Sequence, residues 1–182
     1  MPPHDASITR IAPLGWSGLS DADTFYPDDL PGDWRLTYFA NAFGAVLLPV
    51  EQWTAAGPDA AAWRDDVHGG FRFYLEDAPD RRAALAALSS GLGDALDAVI
   101  GTLRGGAGVR SCHAPGIPDG PAIGYAVAAP DSARGDLRAA RRWLQGLAAE
   151  HRAPPRLVIL ARPTAHELSA WHQLVALLGL GP

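Results

Sequence analysis

The polar residues that follow predicted strands are the best candidates for chemistry in this sequence. Reading each predicted strand to its carboxyl end gives Trp16, Glu51 with Gln52, Glu76 with Asp77, His113, Asp131 and Arg162. Parallel strands of a barrel bring their carboxyl ends to one rim, which is where barrel proteins keep their sites. Strand starts offer few polar side chains, so we expect a site at the carboxyl-end rim.

The predicted site is a cleft for a small polar ligand. Arg162 is expected to face Glu51 or Glu76, because buried charges need partners. Aromatic side chains then supply the apolar walls that ligand clefts usually have. The predicted ligand-binding set is Trp16, Tyr26, Glu51, Trp53, Glu76, His113 and Arg162. An alternative is that strand ends are simply where caps and turns begin, which accounts well for Asp77 and Asp131.

Other arrangements of reactive residues are poor matches to known chemistry. Glu76 and Asp77 would fit a general acid beside a base, but Asp77 also suits a helix cap. Cys112 and His113 are neighbours on a predicted strand and should face opposite sides. His166-Glu167 lacks the second histidine of a zinc-protease helix, and no Cys-x-x-Cys is present. We therefore predict no metal and no cofactor, and no catalytic residue is assigned.

Strands and helices are predicted to alternate along the chain. The predicted strands are 7–14, 45–50, 71–75, 109–114, 122–129 and 156–161. The predicted helices are 33–43 with Asp33 as N-cap, a short one at 60–66, 80–104 divided near Gly91 and Gly93, 137–148, and 164–178. Thr164 and Glu167 have the spacing of a capping box. Apolar runs separated by helical patterns are typical of an α/β fold.

The stretch 25–53 carries a resemblance to a known family. Its markers are Gly15-Trp16, Phe25-Tyr26-Pro27, Leu30-Pro31, Trp34, Phe39-Ala40, Phe43 and Val46. In these it resembles the YecE-like family (domain of unknown function 72), whose members are TIM barrels without an assigned activity. The resemblance covers about the first eighty residues and the last forty. Leu47, Pro49 and Glu76 depart from the family pattern, which has glutamate, asparagine and lysine on these strands.

The expected fold is a reduced or incomplete TIM-barrel-like α/β domain over 1–182, with about six mainly parallel strands. A complete (β/α)8 barrel takes about 250 residues, and this chain has 182. Missing strands would leave unpaired edges, which proteins normally cover, so we expect a homodimer. Two functions stay open: a non-catalytic binding or assembly module that has lost the family's strand residues, or a small-molecule-binding enzyme with its site at the carboxyl ends.

Composition narrows the expected partners. The net charge is −5 and all 15 basic residues are arginine, which argues against a nucleic-acid-binding protein. No apolar run is long enough for a membrane span, and the start of the chain lacks the pattern of a secretion signal. A single cysteine excludes an internal disulfide. We expect a cytoplasmic protein.

Overall fold

The structure is a computed structural model that describes residues 8–56, 62–103 and 108–182. Seven strands are present in the described part of the chain. They are β1 (Arg10–Pro13), β2 (Ala45–Leu48), β3 (Arg72–Glu76), β4 (Leu96–Ile100), β5 (Arg110–His113), β6 (Ala122–Ala128) and β7 (Leu157–Leu160). The α-helices are α1 (Ala22–Phe25), α2 (Arg35–Ala42), α3 (Val50–Ala56), α4 (Arg82–Leu92), α5 (Leu137–His151) and α6 (Ala165–Leu177).

The seven strands form one sheet that nearly closes into a barrel. Their order is β1-β7-β6-β5-β4-β3-β2. β5 is antiparallel to both of its neighbours, and the other pairs are parallel. The two edge strands meet where Leu14 and Leu47 form an isolated parallel bridge. Beside it the backbone N–H of Gly15 donates to the carbonyl of Leu47 at 2.8 Å.

The alternation of side chains along the strands produces two apolar layers. On β2, Ala45 and Leu47 belong to the layer inside the barrel, whereas Val46 and Leu48 belong to the layer between the sheet and the helices. The inner layer consists of buried side chains that fill the barrel, among them Ala12, Leu47, Tyr74, Ala98, Ile100, Cys112, Ala126, Leu157 and Ile159. The described side chains therefore pack the centre of the barrel, and this leaves open space for a ligand at its two ends.

The fold prediction of an α/β domain with about six mainly parallel strands is confirmed in class and in strand direction, and it lacks one of the seven strands, β4. The helical pattern predicted over 80–104 includes residues 96–100, but these residues form β4. Leu85, Leu88, Leu92, Leu96, Val99 and Leu103 continue an apolar pattern of helical spacing past the true helix end. Gly93, with φ 51°, ends α4, since glycine adopts positive φ at little cost. The predicted division near this glycine is confirmed, although a strand follows it.

Of the two helix caps predicted, the one at Asp33 is wrong and the one at Thr164 is confirmed in part. Asp33 lies within a 3-10 turn (Gly32–Trp34) and does not cap α2, which begins at Arg35. Thr164 does cap α6, because its hydroxyl accepts a hydrogen bond from the N–H of Glu167 at 3.0 Å. Glu167 does not complete a capping box; its carboxylate binds Arg134 at 2.8 Å through two nitrogens. The predicted helix at 60–66 lies partly outside the described residues.

No helix in the described ranges is long and apolar enough to cross a membrane.

Candidate functional site

A pocket of about 720 Å³ opens at the carboxyl ends of the parallel strands. It is lined by residues that follow β1, β2, β3 and β4, together with the first turns of α3 and the start of the α4 segment. The polar lining residues are Glu51, Thr54, Glu76, Asp77, Asp80, Arg81 and Thr102. Among the described lining residues there are four carboxylates and one arginine, so this part of the pocket is acidic. We call it the carboxyl-end pocket.

Glu76 is the buried carboxylate of the carboxyl-end pocket, with 5% of its surface exposed. Its Oε2 accepts a hydrogen bond from the N–H of Val50 at 3.0 Å, and its Oε1 accepts one from the N–H of Leu103 at 2.6 Å. The Val50 N–H belongs to the first turn of α3, where backbone donors have no partner within the helix. Glu76 therefore ties the end of β3 to the start of α3 and to the segment after β4.

Trp53 strengthens the same junction from the helix side. Its side chain is buried, and its Nε1–H donates to the carbonyl oxygen of Glu76 at 3.1 Å. A buried indole needs such a partner for its N–H. Trp53 is consequently part of the packing beneath the pocket and does not line it.

The remaining acidic groups of the pocket differ in their freedom to bind a ligand. Asp77 forms an ion pair with Arg82 at 2.7 Å. Asp80 lies 3.9 Å from Arg81 in an exposed pair. Glu51, in the first turn of α3, is exposed, and its carboxylate has no hydrogen bond or ion pair within the described part of the chain. Glu51 is thus the carboxylate most available to a ligand.

The structure brings Glu51 and Glu76 together but leaves Arg162 apart from them. Arg162 is exposed, with φ 46°, and no ion pair joins it to either glutamate among the described residues. Glu76 is satisfied by backbone amides, so it does not need a cationic partner. The expected pairing of Arg162 with Glu51 or Glu76 is therefore wrong.

The predicted aromatic walls lie elsewhere in the fold. Trp16 packs edge-on against Trp63 with ring centroids 5.0 Å apart. Tyr26 is buried, its hydroxyl donates to the carbonyl of Trp16, and Arg35 lies over its ring at 5.2 Å. Burial raises the pKa of Tyr26. Both aromatic residues belong to the outer apolar layer around α1 and α2 and not to the pocket lining.

His113 is also separated from the carboxyl-end rim. Because β5 runs antiparallel, its carboxyl end pairs with Val99 and with Ala122, the first residue of β6. His113 Nδ1 lies 2.9 Å from the carbonyl oxygen of Gly120. The neighbouring Cys112 is buried inside the barrel, where burial raises the pKa of its thiol to about 12. A thiol with that pKa is a poor nucleophile at neutral pH.

A second pocket, of about 520 Å³, lies at the opposite end of the barrel, and sequence reasoning missed it. Its polar lining consists of Arg10, Arg72, Tyr74, Asp94, Asp97 and Arg156. The expectation that the starts of the strands carry few polar side chains was wrong. An arginine begins β1, another begins β3, and a third directly precedes β7. We call this the amino-end pocket.

An ion pair organises the amino-end pocket. Arg156 binds Asp97 through two parallel hydrogen bonds, Nε to Oδ2 at 2.7 Å and one terminal nitrogen to Oδ1 at 2.9 Å. The pairing of β3 with β4 shifts between Phe73 and Tyr74, which makes Asp97 an extra residue in its strand. Such bulges redirect side chains. The Asp97 carboxylate thereby reaches both Arg156 and the hydroxyl of Tyr74.

In the ranges 8–56, 62–103 and 108–182, no group of three or more histidine, cysteine, aspartate or glutamate residues is arranged to hold a metal ion. Comparison of the chain with protein-family models, with curated proteins and with solved structures finds no match.

Proposed function

We propose that this chain is a non-catalytic binding module that takes a small polar ligand in the carboxyl-end pocket. The observation that carries the proposal is the state of Glu76. Both of its oxygens accept backbone hydrogen bonds, from Val50 and from Leu103. A carboxylate held in this way fixes the pocket's walls and is itself not free to act as an acid or base beside a ligand.

The charge of the pocket selects the ligand class. Its lining includes Glu51, Asp77 and Asp80 at the mouth, and Thr54 adds a hydroxyl. These groups are mainly hydrogen-bond acceptors, so they suit a ligand that carries donors or a positive charge. A short amine or an aminated sugar has this chemistry.

The proposed fold relationship is a shortened, divergent member of the YecE-like family. The nearly closed barrel supports this proposal, as does the position of Gly15-Trp16, which one residue separates from the end of β1. Leu47, one of the residues that departs from the family pattern, points into the packed interior. An apolar side chain at this position is consistent with the loss of a polar site from the barrel interior.

The protein is also proposed to form a homodimer, although not through unpaired strand edges. The edges of the sheet meet at Leu14 and Leu47, so they do not present two free strands. The dimer is supported by exposed aromatic side chains on α2 and the turn before it, which a partner subunit would cover. Trp34 is 61% exposed and Tyr38 is 37% exposed.

The test of the binding proposal is titration with putrescine by isothermal calorimetry, with glucose as an uncharged comparison. We expect putrescine to bind and Glu51→Gln to weaken it several-fold, because the free carboxylate at the mouth is lost. Glu150→Gln, an exposed change on α5, serves as the matched control and should leave binding unchanged. Equal binding by wild type and Glu51→Gln, or no binding of either probe at millimolar concentration, would contradict the proposal.

A further inference from the structure

Three arginines converge on the amino-end pocket, and they differ in how their charges are compensated. Arg156 is neutralised by its two hydrogen bonds to Asp97. Arg72 is anchored by one terminal nitrogen, which donates to the carbonyls of Gly69 at 2.7 Å and Phe71 at 2.8 Å. Carbonyl groups hold its position but do not cancel its charge.

Arg10 has no such partner. Its backbone N–H pairs with the carbonyl of Arg156 at 3.0 Å, but its guanidinium makes no hydrogen bond or ion pair with any described residue. The side chain is partly buried, and burial lowers the pKa of Arg10, with the positive charges of Arg72 and Arg156 acting in the same direction. Tyr74 and Asp97 oppose this shift without reaching the guanidinium. Such an arrangement destabilises the protein unless a further negative charge enters.

The charge balance of the pocket leads to the same conclusion. Among the described residues, its lining holds three arginines, Arg10, Arg72 and Arg156, against two aspartates, Asp94 and Asp97. Asp97 is fully used by Arg156 and Tyr74, and Asp94 is exposed at the mouth. A locally positive pocket is thus maintained in a chain whose net charge is −5.

We propose that the amino-end pocket is a second binding site, for a small molecule that carries an oxyanion, with Arg10 as its principal ligand-binding residue and Arg72 beside it. The planar guanidinium group presents paired N–H donors that match phosphate and carboxylate oxygens. A volume of about 520 Å³ is within the range of small-molecule sites. Tyr74 and Asp97 fix Arg156, which forms one wall of the pocket. This site is independent of the carboxyl-end pocket.

The experiment measures thermal stability and binding with inorganic phosphate, pyrophosphate and succinate, each compared with sodium chloride at equal ionic strength. We expect one or more of the three anions to raise Tm beyond the effect of chloride. Arg10→Met should weaken that binding about ten-fold or more, since a hydrogen bond between charged groups is removed. Arg142→Met, a change at an exposed arginine on α5, should leave it unaffected. The phosphate and succinate arms separate a phosphate ligand from a carboxylate ligand.

A second readout separates ligand binding from a structural role. In buffer without these anions, Arg10→Met should be as stable as wild type or more stable, because it removes an uncompensated charge. A structural arginine would instead lower Tm when replaced. Arg72→Met provides a second variant of the same pocket and should also reduce anion binding. The proposal is overturned if the anions act no more strongly than chloride, or if both variants keep the full anion effect.

Discussion

Arg156 and Asp97 join β7 to β4 across the end of the barrel, although these strands are not neighbours in the sheet. Their side chains are only 11% and 17% exposed. Burial acts to lower the pKa of Arg156, but the hydrogen bonds and charge of Asp97 outweigh it and raise that pKa. Burial and Asp97 together raise the pKa of Tyr74.

Asp97→Asn should therefore be strongly destabilising. It leaves Arg156 as an uncompensated charge in a mostly buried position, which typically costs about 3–5 kcal/mol of unfolding free energy. Urea denaturation measures the change. Asp119→Asn is the matched control, because Asp119 is 85% exposed in its pair with Arg82, and such exposed pairs contribute at most about 1 kcal/mol. Equal effects of the two variants would show that the buried Arg156–Asp97 pair contributes no more to the unfolding free energy than an exposed pair.

Glu76→Gln should loosen the junction between β3 and α3. The glutamine oxygen can replace one carboxylate oxygen, but its NH2 group then faces the N–H of Val50 or of Leu103, and one buried donor loses its acceptor. The expected cost is about 1–3 kcal/mol of unfolding free energy. Glu51→Gln, at an exposed position in the same pocket, should change stability by less than about 0.5 kcal/mol. If Glu76→Gln is as stable as wild type, the two amide contacts do not hold the pocket together.

His172 should make the protein sensitive to mild acid. Its ring stacks on Phe43 with centroids 6.0 Å apart, and its Nε2 is buried without a partner in the described part of the chain. Burial, assisted by the charge of Arg10, lowers the pKa of His172 from 6.5 to about 4. Between these values the unfolded chain binds a proton that the folded chain excludes, so stability falls as pH drops from 6.5 toward 4.

The expected loss over that range is up to about 3 kcal/mol, from the size of the pKa difference. His172→Phe should flatten this part of the stability profile, measured by denaturation at several pH values. His166→Phe, at an exposed position on the same helix, should leave the profile as in wild type. An unchanged profile in His172→Phe would assign the acid sensitivity to other groups.

Removal of the α6 cap should have a moderate effect. Thr164 supplies the hydroxyl that accepts from Glu167 N–H, and the Asp21 carboxylate accepts from Ala165 N–H at 2.9 and 3.1 Å. Thr164→Ala should lower the unfolding free energy by about 1 kcal/mol. Thr164→Ser keeps the hydroxyl and should lose much less. A loss as large in the serine variant would point to the methyl group instead of the cap.

Self-association is tested by light scattering after size-exclusion chromatography. The dimer proposal predicts about twice the monomer mass at micromolar concentration, and a lower mass for Trp34→Ser, because the exposed indole would be lost from the contact. Val109→Ser, at another exposed apolar position, is the control. A wild-type monomer under these conditions contradicts the proposal.

The sequence predicts well those strands whose apolar runs are bounded by turn residues on both sides. β1, β2, β3, β5, β6 and β7 begin and end within a few residues of their predicted bounds. β4 was missed because Asp97 stands in the middle of a short strand and its apolar neighbours continue the spacing of α4. Local spacing cannot reveal that a bulge turns this aspartate toward an arginine 59 residues later.

The site was harder to predict than the fold, because the groups that bind its charged side chains are distant in sequence or belong to the backbone. Glu51 and Glu76 share a pocket as expected from strand ends. The amides that satisfy Glu76 carry no signature in the residue types. For the amino-end pocket a signal did exist, since arginines stand at or next to the starts of β1, β3 and β7. Those positions become neighbours only when the sheet curls and brings its distant strands together.

The packed interior of the barrel also determines how its two ends can communicate. Leu47, Ile100, Cys112 and Ile159 close the space between the pockets, and Tyr74 contributes its ring to this layer and its hydroxyl to the amino-end pocket. No molecule can pass from one mouth to the other through such a plug. Ligands in the two pockets therefore cannot touch each other, and we expect occupancy of one pocket to leave affinity at the other unchanged.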